Sequence, residues 1–120
     1  MSAAVVVAAR RTAVAPRGGA FKAVEVAALG ATLLHALLAD SGIAPGEIDE
    51  VILGNALYGG GNPARLVALA AGLPDTVPAL TIDSQCCAGL DAVMMAADRI
   101  AAGAARVVIA GGVESFSRAP

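Results

Sequence analysis

Among its 120 residues the chain has no tryptophan, one tyrosine and two phenylalanines, so it lacks the aromatic platforms on which nucleobases stack. Basic charge is equally scarce. Eight Lys and Arg residues stand against ten Asp and Glu, giving a formal charge of −2 and leaving no basic surface for a phosphate backbone. Nucleic acid is therefore not an expected partner. The only two cysteines, Cys86 and Cys87, are neighbours and close no useful loop, which excludes a disulfide framework and points to a reducing, cytoplasmic setting. The single histidine, His35, has no Cys or carboxylate near it at ligand spacing, so no metal site is expected and His35 is assigned to the protein surface or its rim.

Long apolar runs are missing as well, although 58% of the residues are apolar. Each run is cut by a charge or a glycine before the roughly 18 residues that a membrane span needs; the longest, residues 23–39, contains Glu25 and His35. No membrane association is expected. Arg10 and Arg11 follow the first apolar stretch rather than precede it, the reverse of a secretory signal. The acid-free start up to Glu25 has one feature of an organelle transit peptide, yet the segment reads better as a strand.

What is present is a regular alternation of short apolar runs and longer patterned ones. Residues 4–9 form a continuous Val-rich stretch, as expected of a strand buried on both faces. Residues 10–20, with Pro16 and Gly18-Gly19, read as a loop. Between Phe21 and Ser41 the polar positions fall in one arc at about 100° per residue, which predicts a helix ended by Gly42. Residues 51–54 predict a second strand. Asn62 and Pro63 then supply a cap and a first helical residue for a helix reaching Ala71, with Gly72 at its end. A third strand is expected over 79–83. A helix over 87–102, with Asp91, Asp98 and Arg99 on a solvated face, ends at Gly103. A fourth strand spans 106–111 before a Gly111-Gly112 turn. The acidic run Glu47, Asp49 and Glu50 reads as a solvated face.

This order predicts one α/β domain over residues 1–120, with a mostly parallel sheet of about four strands and helices on both faces. Three helices are a thin cover for so apolar a sheet, so part of the covering is expected to lie outside these residues. The short, apolar third strand is expected to be an uncovered edge that seeks pairing, which predicts an oligomer.

Cys86 stands after a predicted buried strand and at the start of a helix, where open α/β sheets present functional groups. Helix N-terminal amides favour a thiolate there and can hold the oxyanion formed when a thiolate attacks a carbonyl. Acyl chemistry through Cys86 is one reading of that placement, with Cys87 the lesser candidate. A buried apolar Cys pair in a small α/β domain is the other. The Gly59-Gly60-Gly61-Asn62 loop lacks the spacing of a dinucleotide or P-loop site and reads as a backbone-access loop or a flexible turn; no cofactor-binding residues are assigned.

Five ordered blocks resemble the amino-terminal part of the thiolases. They are Ala8-Ala9-Arg10-Arg11-Thr12 with Gly18-Gly19; Asn62-Pro63-Ala64-Arg65; Gly72-Leu73-Pro74 through Val77-Pro78-Ala79; Asp83-Ser84-Gln85-Cys86-Cys87-Ala88-Gly89-Leu90; and Gly111-Gly112-Val113-Glu114-Ser115. The resemblance implies the thiolase fold in its amino-terminal half and acyl transfer through a Cys86 thioester. The reaction it implies is thiolysis of a 3-ketoacyl-CoA by coenzyme A, or the reverse Claisen condensation, in lipid metabolism. Coenzyme A thioesters enter as substrates, with no bound cofactor, and the Cys86 amide contributes to an oxyanion hole. It also implies a homodimer through the strand before the nucleophile, or a complementary thiolase segment as partner. The family's Gly-His-Pro histidine and second catalytic cysteine have no counterpart here, so the 120 residues alone are not expected to turn over. Asp83 stands where the family commonly has Asn, and Cys87-Ala88 where it has Gly-Ser. These departures motivate the alternative of a non-catalytic thiolase-like module that binds acyl-CoA or a partner.

Overall fold

The computed structural model describes residues 3–58 and 61–120. Three strands, β1 (Glu50–Gly54), β2 (Ala79–Ile82) and β3 (Val108–Gly112), form a wholly parallel sheet in the order β2-β1-β3. Helices α1 (Val26–Ser41), α2 (Pro63–Ala70) and α3 (Ala88–Ala101) alternate with them.

Parallel neighbours need crossovers, and crossing helices cover both faces of the sheet. Alternate residues of β1 divide accordingly. Val51 and Leu53 enter the larger core with Leu34 of α1 and Ala64, Val67 and Ala68 of α2. Ile52 points the other way, into a smaller core with Ala92 and Ala96 of α3. Helix α1 approaches α2 so closely at Gly30 that a Cβ there would lie 2.5 Å from a Val67 methyl. His35 donates from Nε2 to the Ala71 carbonyl at 2.9 Å, tying α1 to the end of α2 from the rim.

Helix boundaries follow the expected chemistry. Asn62 Oδ1 accepts from the Arg65 amide and Pro63 opens α2, while Gly42, Gly72 and Gly103 sit after α1, α2 and α3 with φ of +69°, +80° and +75°. Helix α1 begins at Val26 rather than Phe21, because residues 16–24 fold into consecutive turns. Its main partner helix is α2, so its contact with the sheet runs through the shared core.

Among the described residues the sheet has three strands, not about four. The expected first strand, residues 4–9, pairs with nothing among the described residues: Val5, Val6 and Val7 are 75%, 79% and 67% exposed. An apolar run becomes a strand only when a neighbour takes its backbone hydrogen bonds. The Gly111-Gly112 turn is also corrected, since both residues complete β3, paired with Leu53 and Gly54. Strand β2 lies at an edge, as expected, and all four of its residues are half-buried.

The acidic run is solvated at Glu47 and Asp49, as expected, with Glu50 half-buried, and it does structural work as well. Glu47 Oε1 accepts from the Ala44 amide, and Glu50 meets Arg99 with Nε 3.0 Å from Oε2, a charge contact off the line of a hydrogen bond. Asp49 Oδ2 accepts from the amides of Arg106 (2.7 Å) and Val107 (3.0 Å), fixing the approach to β3 against that to β1. On α3, Asp91 accepts from Ser84, Arg99 pairs with Glu50, and Leu90, Val93 and Met94 are left exposed beside Asp98.

The Arg106 and Val107 amides hold the Asp49 carboxyl below the usual carboxylate range, and Arg10 does the same for Asp40 through a paired contact at 2.6 Å. A depressed folded value gives stability that is present above the unfolded aspartate pKa, about 3.9, and is lost as pH falls through the folded value. The urea midpoint of Asp49→Asn is therefore expected below that of the parent chain at pH 7. The gap should close in the acid range below about pH 4. A gap that stayed constant from pH 7 to pH 3 would contradict this assignment.

A second set of long-range ties joins residues 115–118 to residues 17–25. The Ser117 hydroxyl accepts from the Gly18 amide at 2.7 Å, Ser115 Oγ donates to the Val24 carbonyl at 2.6 Å, and Arg118 donates to Glu25 at 2.8 Å. The Arg17 guanidinium stacks 5.0 Å above the Phe116 ring.

Candidate active site

The carboxyl ends of the three strands converge on the start of α3. After Ile82 the chain turns through Asp83, whose Oδ1 accepts from the Gln85 amide (2.9 Å) and from the Gln85 side-chain amide (3.0 Å). Gln85 then adopts φ of +58°, the only left-handed non-glycine residue among those described. A single 3₁₀ turn, Gln85–Cys87, carries the chain into α3. The turn's main-chain bonds run from the Cys87 amide to Ser84 and from the Ala88 amide to Gln85. Among the described residues no acceptor meets the Cys86 amide.

Cys86 and Cys87 are both exposed and unpaired, which removes the buried-pair reading. Cys86 thus offers an accessible thiol and a free amide at one residue. A tetrahedral oxyanion on a carbonyl carbon bonded to Sγ needs donors of that kind.

Glycines let the helix start settle onto the sheet. A Cβ at Gly54 would lie 2.5 Å from the Ala88 carbonyl carbon, while Gly89 and Gly112 meet at ordinary contact distance, with a Cβ on Gly112 falling 3.4 Å from the Gly89 Cα. Two open crevices flank the elbow. One, of about 280 Å³, lies between Gly54, Asn55 and Ala56 at the end of β1, Gln85, Ala88 and Gly89 at the elbow, and residues 112–114 at the end of β3. The other, of about 220 Å³, runs from Asn55 and Ala56 past Tyr58 to Asp83. Cys86 itself lines neither, but its chain neighbours on the elbow line both.

Asn55 and Glu114 are the residues that sequence reasoning missed. Asn55, 7% exposed, donates from Nδ2 to the Val113 carbonyl and to Glu114 Oε2, both at 2.8 Å, and accepts the Tyr58 amide at Oδ1. Glu114 Oε1 accepts from the amides of Ala56 and Leu57, each at 3.1 Å. The available signal was a polar residue at the end of a strand: Asn55 directly after Gly54, and Glu114 two residues after Gly112 in the Gly-Gly-Val-Glu-Ser block.

His35 lines neither crevice, and no group of three or more His, Cys, Asp or Glu suited to a metal ion occurs among the described residues. Of the Gly59–Asn62 loop, Gly59 and Gly60 lie outside the described residues; Gly61 borders the second crevice, and Asn62 caps α2.

The profile of the thiolase N-terminal domain matches residues 4–120. A probable acetyl-CoA acyltransferase of Staphylococcus aureus (strain NCTC 8325 / PS 47) is 45% identical over 122 residues, covering 100% of this chain and 31% of that protein. An acetyl-CoA acetyltransferase of Thiocystis violacea is 50% identical over 116 residues, covering 95% and 29%. The crystal structure of the Bacillus anthracis acetyl-CoA acetyltransferase superimposes with a TM-score of 0.85 at 44% identity, over 88% of this chain and 27% of that one. The chain spans about a third of the length of the curated relatives it matches.

Proposed function

Taking as premise that the chain belongs to the thiolase family, as its N-terminal domain, we propose that Cys86 is the acyl-carrying nucleophile of a thiolase-type acyltransferase acting on coenzyme A thioesters. The observation that carries the reading is the elbow, where an exposed thiol and an unbonded amide belong to the same residue and the flanking elbow residues line two crevices.

In the first half-reaction the Cys86 thiolate attacks the thioester carbonyl carbon, forming a C–S bond and placing negative charge on the oxygen beside the Cys86 amide. The bond from carbon to the coenzyme A sulfur then breaks, and coenzyme A leaves as a thiol once protonated. Thiolysis uses the same attack on the keto carbonyl of a 3-ketoacyl-CoA. There the carbon–carbon bond breaks, and acetyl-CoA departs after its carbanion takes a proton. Both directions need a general base for the thiol and an acid for the leaving group. The two carboxylates that line the crevices, Glu114 and Asp83, already accept hydrogen bonds from the protein, which supports single acylation without turnover in these 120 residues.

A cytoplasmic homodimer, paired through the free edge of β2, belongs to the same proposal. The departures at Asp83 and Cys87-Ala88 favour the second reading, a non-catalytic acyl-CoA-binding or interaction module.

The test is peptide mass spectrometry after exposure to acetyl-CoA, beside a sample first alkylated with iodoacetamide, with the same protein weighed by light scattering. An acetyl group on Cys86 that prior alkylation blocks is the expected result, at a dimer mass. A folded chain with a reactive thiol but no acetyl adduct would transfer the assignment to the non-catalytic module, and a monomer mass would remove the dimer.

A further inference from the structure

We infer that Glu114 is a positioning residue for the acyl group. It holds the wall of the crevice opposite the Cys86 elbow at the separation a thioester needs, an inference that rests on the acyltransferase reading above. Residues 55–58 form that wall, and Asn55 and Ala56 border both crevices. A loop of this kind has no ladder to hold it, so its donors need acceptors from elsewhere. Here four consecutive amides are met. The Asn55 amide donates to the Ile82 carbonyl at the end of β2, the Tyr58 amide to Asn55 Oδ1, and the two between them, of Ala56 and Leu57, to Glu114 Oε1.

Glu114 Oε2 takes a further donor, the Asn55 side-chain amide, so both carboxylate oxygens are spent on one loop. The chain that brings Glu114 there leaves the neighbouring strand β3, and Val113 is tied to the end of β1 by its amide bond to the Gly54 carbonyl. The carboxylate therefore references the wall to the sheet rather than to the elbow. The elbow has its own seat on the sheet through the Gly54–Ala88 approach. Two parts resting on one frame keep a fixed gap, and the larger crevice is that gap. Glu114 is not a catalytic residue, since its oxygens are occupied by the protein.

A carboxylate only accepts hydrogen bonds, whereas a primary amide has one accepting and one donating end. Glu114→Gln keeps the shape but sets an NH₂ group either against the Ala56 and Leu57 amides or against the Asn55 amide, donor facing donor. The wall is then released while the Cys86 thiol stays exposed.

The experiment compares two rates at Cys86, acetylation by acetyl-CoA and alkylation by iodoacetamide, in the parent chain and in Glu114→Gln. Amide hydrogen exchange at Ala56 and Leu57 is followed by NMR in the same samples. Acetylation is expected to fall tenfold or more with iodoacetamide unchanged within about twofold, and exchange at the two amides to accelerate at least tenfold. Two rates that move together, or exchange that does not change, overturn the inference. If the parent chain takes no acetyl group, the acyltransferase reading fails by itself, and the exchange data alone uphold or overturn the role of Glu114 in fixing the loop. Glu114→Asp keeps both oxygens but retracts them by one methylene. It carries the same readouts if the glutamine variant does not fold, with an intermediate loss expected and an unchanged acetylation-to-alkylation ratio again contrary to the inference.

Discussion

Cys86→Ala is expected to abolish acetyl capture from acetyl-CoA, a loss of about 10⁴-fold or more on the scale set by removal of other enzyme nucleophiles. Cys87→Ala is expected to keep capture within a few-fold. Both thiols are exposed, so access does not separate them. The backbone does. The Cys87 amide is spent on the Ser84 carbonyl, whereas no described acceptor meets the Cys86 amide. Only an oxyanion formed at Cys86 thus finds a donor in its own residue. Cys86→Ser retains that donor but substitutes a hydroxyl, which stays a weak nucleophile without an adjacent base, so it should be nearly as inert as the alanine variant. Peptide mass spectrometry after timed exposure to acetyl-CoA reads all three. An adduct that persists on Cys87 when Cys86 is removed would assign the chemistry to the wrong neighbour.

Gly54→Ala should be the most damaging single methyl group near the site. Its Cβ would fall 2.5 Å from the Ala88 carbonyl carbon, 2.6 Å from the Gly89 amide nitrogen and 2.7 Å from the Ala88 Cβ. Two of those three atoms are backbone and cannot swing aside, so the start of α3 must move off the sheet. Overpacking of this kind costs typically 1–3 kcal/mol, and in a domain near this size each kcal/mol lowers the melting temperature by about 4–8 °C. The same displacement carries the 3₁₀ turn with it, so acetyl capture at Cys86 should fall along with stability. Gly111→Ala is the control, because an added Cβ there meets nothing within 4 Å. Thermal unfolding followed by circular dichroism distinguishes the two. Equal melting temperatures for the variants would mean that the helix start is not clamped at Gly54.

Local chemistry made most of the elements legible. Gly42, Gly72 and Gly103 each end a helix with positive φ, and the Asn62-Pro63 pair opens α2, because caps depend on residues within a turn of one another. Residues 4–9 are more uniformly apolar than β1, yet only β1 is a strand. Strand formation is decided by a pairing partner, which no local pattern reports. Gly111 and Gly112 carry turn propensity but complete β3, because their backbones take up the parallel pairing with Leu53 and Gly54 of β1.

The site divides in the same way. The Cys86 elbow was readable as a junction of two predictable elements. Glu114 and the loop it holds are 57–59 residues apart in sequence, so their meeting is a product of the sheet order β2-β1-β3. The positive φ at Gln85 had no sequence signal, since glutamine has no preference for that conformation.

The stitching of residues 115–118 onto residues 17–25 imposes an order of assembly. The Gly18 amide and its Ser117 acceptor are separated by 99 positions, and the Val24 carbonyl and Ser115 by 91. At a synthesis rate of about 5–20 residues per second, the segment before α1 waits roughly 5–20 s for the side chains that fasten it. Helix α1 and the first two strands are completed within that interval, while the turns leading into α1 have only their own short-range bonds. The beginning of the domain is therefore among the last parts to be locked, and its closure is coupled to the arrival of the same Gly-Gly-Val-Glu-Ser stretch that brings Glu114 to the crevice.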